Sequence, residues 1–210
     1  MLRAVKEKLN RCLPFVFMAL FAVSRWPGLF PPNFSAAAAL AFCAGVYFSG
    51  AMAWWLPLGT MLVTDVALNI FYYHTQPIGG YLLLNYAVYA GLIWFGRQFG
   101  KRACFLKLLL GGLAGAVIFY LVTNTLSWLL DPAYTKTIMG WIQALTTGRL
   151  DVHPTTWELF RNTLLSGGLF TALFAGVAKL TAPDESPAEK EAGVREAEPE
   201  AQPEPEEANA

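Results

Sequence analysis

A single acid, Asp65, stands in the interior of the long apolar runs of this chain, Glu158 lying at the very start of the last. Asp65 lies in Trp54–Tyr73, with Asn69 one helical turn later on the same face. A carboxylate among apolar side chains needs a cationic partner or a bound proton. Two arginines, Arg25 and Arg161, sit at the ends of other apolar runs and are the candidate partners. Of the two, Arg161 is the expected one. One reading of such a pair is an ion pair that fixes helix packing; the other is a site for a solute or a proton. Asn33, Asn85, Tyr89, Asn124, Trp128 and Asn162 complete the set of polar and aromatic residues with a candidate role. Amides and hydroxyls within apolar helices either pair across helices as packing glue or line a polar cavity.

The sequence offers little else that does chemistry. It has no HExxH, no GxSxG, no GxxxxGK[ST] and no paired acids within an apolar run. No catalytic residue is assigned, an enzyme is not expected, and any ATP-driven step would require a partner. The three cysteines, Cys12, Cys43 and Cys104, are isolated, and His74 and His153 lie far apart, so neither a disulfide framework nor a zinc site is expected. No cofactor is implied.

The elements that must position these residues follow from composition. Of 210 residues 55% are hydrophobic and 14% charged, where a soluble domain carries roughly a quarter charged. The last thirty residues hold ten acids and two bases, which leaves 13 bases and 5 acids in the first 180. Zero net charge is thus a basic apolar body cancelled by an acidic tail. The tail, 181–210, is rich in Pro, Glu and Ala and without aromatics, so it is expected to stay disordered.

Crossing a bilayer takes about 20 mostly apolar residues. Six runs qualify or nearly so: Leu9–Ser24, Phe34–Ser49, Trp54–Tyr73, Gly79–Phe95, Phe105–Leu130 and Trp157–Leu180. The second, at about 16 residues, is short enough to extend to Asn33 or to pack inside the bundle. Between the fifth and sixth, Ile138, Trp141, Ile142 and Leu145 recur at helical spacing and predict an amphipathic surface helix. The basic start, Arg3 to Arg11, followed by Ala22-Val23-Ser24, has the pattern of a secretory signal. Trp26 and Pro27 after it favour a retained helix. The expected fold is all-α: a polytopic helical bundle of six spans over 1–180.

With the N-terminus inside, nine basic residues fall on inner segments and four on outer ones, the tail excluded, so both termini are expected in the cytoplasm. In that orientation every candidate polar residue lies in the outer half of its span. An outward-opening cavity follows, with Tyr72, Tyr89, Tyr120 and Trp128 as stacking surface. Small residues repeat at four-residue spacing at Ala37/Ala41/Gly45, Gly111/Gly115 and Gly168/Ala172/Gly176. Such faces allow close helix contact within the chain or with a membrane partner.

One set of motifs occurs in order: Pro31-Pro32-Asn33-Phe34-Ser35 with Gly45-Val46-Tyr47-Phe48; Thr64-Asp65; Val122-Thr123-Asn124; Tyr134-Thr135-Lys136-Thr137 and Phe160-Arg161-Asn162-Thr163-Leu164-Leu165. Over about residues 25–178 this resembles an uncharacterised family of bacterial integral membrane proteins. More loosely, six short helices with an outward pocket are similar to the S components of energy-coupling-factor vitamin transporters. In those a small-residue face on the first helix docks the energising module; here the first run offers only Ala19 and Ala22. The resemblance implies a bacterial inner-membrane protein that captures a small solute. Its partners would be the lipid bilayer and an energising membrane module in trans, with no nucleic acid. The alternative is a membrane scaffold whose tail recruits a cytoplasmic partner.

Overall fold

The computed structural model describes residues 2–181; the expectation of a disordered tail concerns residues that, but for Thr181, lie outside it. Among the described residues seven helices follow in chain order: α1 (Leu2–Ser24), α2 (Ala37–Tyr47), α3 (Met52–Phe71), α4 (Gly80–Arg97), α5 (Phe105–Leu130), α6 (Ile138–Leu145) and α7 (Thr156–Thr181). By length and composition α3, α5 and α7 can cross a membrane. These helices carry exposed Val63, Leu110, Leu165 and Leu169.

α2 is the centre of the molecule. Ten of its eleven residues, Ala37–Val46, are buried. It packs against α1, α3, α4, α5 and α7. Its composition explains this position. Alanine and glycine on all sides let neighbouring backbones approach from every direction, and the large side chains are few. One of these, Phe42, meets Phe95 and Phe99 with ring centroids 5.8 and 5.1 Å away. Eleven residues rise only about 16 Å, half the thickness of a hydrocarbon core. Of the two possibilities for the short second run, packing inside the bundle is the one realised. The helix is shorter than the expected Phe34–Ser49, because Phe34 and Ser35 belong to the preceding connection.

The closest contact between α5 and α7 does not run along the Gly168/Ala172/Gly176 row. A Cβ on Gly112 would lie 2.2 Å from Thr171 Oγ1, and one on Gly167 would lie 2.9 Å from Ala116 Cβ. Gly168 has only a looser neighbour, 3.1 Å to Leu113 Cδ2, and Gly176 faces open space. The Gly168/Ala172/Gly176 row is therefore offset from the packed face, which runs through Gly167 and Thr171.

α6 is the expected amphipathic element. Thr137 caps it, accepting the Gly140 N–H at 3.2 Å. Gly140 and Ala144 face inward, while Ile138, Met139 and Ile142 are exposed. Trp141 Nε1 donates to Thr125 Oγ1 at 3.0 Å and ties the helix to α5.

Candidate functional site

Between α1 and α2 the chain runs as a strap, residues 25–36, shaped by Pro27, Pro31 and Pro32. Gly28 (φ 81°) and Asn33 (φ 61°) take the left-handed turns; glycine and asparagine are the residues that tolerate them. Three bonds fix the strap. Ser24 Oγ accepts the Ala36 N–H at 3.1 Å and closes its base. Asn162 Nδ2 on α7 donates to Pro32 O at 2.9 Å. Arg25 forms an ion pair with Asp65 on α3.

Under the strap lies a cavity of about 690 Å³, within the range of small-molecule sites. Its wall is made by the C-terminal halves of α3 and α5, the N-terminal halves of α4 and α7, and the start of α2. Ala37 and Ala38, the first residues of α2, are part of this wall, and no side chain caps the helix. The positive end of the α2 dipole therefore borders the cavity.

The ion pair is held from several sides. Arg25 Nη1 donates to Thr64 Oγ1 at 3.3 Å, and the guanidinium lies over the Phe21 ring, 5.6 Å from its centroid. Asp65 gives Oδ1 to Arg25, and its Oδ2 accepts the Tyr86 hydroxyl at 2.8 Å. Two ring stacks form flat walls: Tyr89 on Phe119, 5.1 Å apart at 15°, and Tyr120 on Phe160, 4.1 Å apart at 29°.

The structure gathers Arg25, Asn33, Asp65, Asn85, Tyr89 and Asn124 at this cavity. The other four candidates stand elsewhere. Asn69 is turned away and donates to Pro77 O at 3.1 Å. Trp128 Nε1 donates to Thr135 O at 2.9 Å and braces the connection before α6. Asn162 acts at one remove by anchoring the strap. Arg161 is exposed on α7, where its charge acts on neighbouring Glu158. The expected pairing of Asp65 with Arg161 is thus corrected to Asp65 with Arg25. The strap brings Arg25 back over α3, whereas Arg161 is exposed on α7, about 100° round the helix from Asn162, whose amide holds the strap. Sequence reasoning missed Tyr86, Phe119 and Phe160 as site residues. Tyr86 carried a signal, being one residue from Asn85 in an apolar run; the two phenylalanines carried none.

Fold and cavity together define an all-α protein with three helices long and apolar enough to cross a membrane and a polar pocket at one end of its bundle. Residues 6–189 match DUF6580, a family of unknown function, and the chain belongs to that family. No curated protein and no solved structure matches it.

Proposed function

We propose that this protein is a transport component of the bacterial inner membrane that captures a small solute, vitamin-like or another micronutrient, from the outer face. The observation that carries this reading is the cavity itself. It is large enough for a metabolite and holds an ion pair, asparagines and stacked rings, and the strap covers it. Purely structural polar pairs would be expected to leave no such space between them.

In this reading α1, α3, α4, α5 and α7 cross the membrane, and the strap together with α2 completes the second of six crossings. Non-helical backbone at membrane depth is tolerated where it is buried in protein or lines a cavity. The strap end then faces outward. The other end carries Arg97, Lys101, Arg102 and Lys107, in keeping with the bias of basic residues toward the cytoplasm. There Arg97 Nη2 donates to Gly50 O at 3.3 Å and the guanidinium lies over Trp54, which ties the end of α4 to the connection between α2 and α3. Energy would come from a membrane module in trans or from protons.

The test is mass spectrometry of small molecules that co-purify with the detergent-solubilised chain. A compound retained by the wild type and lost on Tyr89→Ala supports capture at this cavity. Retention unchanged by Tyr89→Ala and by Asn124→Leu would place binding elsewhere.

A further inference from the structure

The cavity walls also bear on what kind of solute is taken. We propose that it carries one carboxylate on a flat, mainly apolar body, and that Arg25 is the residue that reads the carboxylate. This rests on the capture reading and narrows it.

Among the described lining residues the formal charges are Arg25 and Asp65 alone. The two are not equally open to a newcomer. Asp65 has both oxygens engaged, Oδ1 by Arg25 and Oδ2 by the Tyr86 hydroxyl, and its side chain is 13% exposed. A cationic solute would have to share each carboxylate oxygen with Arg25 or Tyr86 and could not meet Asp65 as an unpaired charge. Arg25 is 23% exposed and uses two of its five N–H donors, one on Asp65 and one on Thr64. The remaining donors form part of the planar fork that matches a carboxylate. The guanidinium is also fixed in advance by Thr64, Asp65 and the Phe21 ring, so little ordering is left for binding to do.

The body of the solute is set by the rings. Phe119 and Tyr120 are neighbours on α5, and each heads one of the two stacks. Both line the cavity and offer it flat apolar surface. A single cation already shared with Asp65 suits one negative charge and disfavours a phosphate monoester with two.

The experiment uses the full chain in detergent. Thermal shift and calorimetry compare naphthalene-2-carboxylate and indole-3-acetate with naphthalene-2-carboxamide, indole-3-acetamide, tryptamine and inorganic phosphate. The acids should bind at least about tenfold more tightly than their amides, the difference a charge-assisted hydrogen bond makes. Arg25→Gln should erase that preference, and Arg25→Lys should keep part of it, since the charge stays and the fork is lost. Asp65→Asn removes the competing carboxylate and should strengthen acid binding by about tenfold. Should that variant fail to fold, the contrast between Arg25→Lys and Arg25→Gln decides. Amides that bind as well as the acids, or preferred binding of tryptamine or phosphate, would overturn the carboxylate assignment and leave capture standing. Binding of none of these probes would count against both.

Discussion

Gly45 of α2 and Gly96 of α4 meet backbone to backbone. A Cβ on Gly45 would lie 2.1 Å from Ile93 O, and one on Gly96 would lie 2.1 Å from Phe42 O. Neither obstacle is a side chain that can rotate away. Gly45→Ala or Gly96→Ala should therefore force the two helices apart and cost about 3 kcal/mol. Denaturant titration in detergent reads the loss, and a variant as stable as the wild type would show that this contact does not hold the bundle together.

The offset between the packed face of α7 and its row of small residues gives opposite expectations for two glycines. Gly112→Ala meets the Thr171 side chain, including its Cβ at 2.7 Å, and should destabilise by about 2 kcal/mol. Gly176→Ala meets nothing within 4 Å and should stabilise α7 by up to about 1 kcal/mol through helix propensity. Equal effects at the two positions would mean that the α5–α7 register is wrong.

Thr171 itself is fully buried, and its hydroxyl has no hydrogen-bond partner. An unpaired hydroxyl costs free energy that a methyl group of similar size does not. Thr171→Val should raise stability by about 1 kcal/mol, seen as a higher melting temperature in detergent. A fall would reveal a hydrogen bond made by that hydroxyl.

Breaking the Arg25–Asp65 pair from one side leaves a mostly buried charge. Arg25→Gln should cost about 2 kcal/mol, less than a fully buried pair because both side chains retain some exposure. The double variant Arg25→Gln with Asp65→Asn should recover most of that loss. Arg161→Gln, at an exposed position, should change stability by less than about 0.5 kcal/mol. A coupling energy near zero between Arg25 and Asp65, measured by the double-mutant cycle, would remove the ion pair from the account of the site.

Orientation is open to a direct test. A reporter active only outside the cytoplasm, fused after Leu180, should give no signal if the strap and cavity face outward. A strong signal would invert the bundle and turn the cavity toward the cytoplasm.

The long helices were legible in the sequence. The apolar run Phe105–Leu130 is α5 to the residue, and the runs expected at Trp54–Tyr73 and Trp157–Leu180 correspond to α3 and α7 within two residues at each end. Continuous apolar stretches of that length have few alternatives. The partner of Asp65 was not legible, since helix order places Arg25 and Arg161 at similar depth. The choice between them is made by how the prolines of the strap fold it back. Asn69 shows a finer limit. One turn after Asp65 it should share its face, yet the cavity stripe runs through Asp65 and Leu68 of α3 and on to Tyr72 just past its end. At 3.6 residues per turn, that stripe follows the three-and-seven spacing, and Asn69 falls just off it.

The burial of α2 bears on how the chain is assembled. It is made early, but most of the surfaces that enclose it belong to α4, α5 and α7, which leave the ribosome later. Until the last of these arrives, an eleven-residue, alanine-rich segment too short to span lipid has no finished berth. A nascent chain halted before α7 would hold the residues of the Arg25–Asp65 clasp, yet lack both Asn162's hold on the strap and one wall around its own middle. Completion of the native arrangement thus waits for α7, and until it docks the central slot stays open on one side.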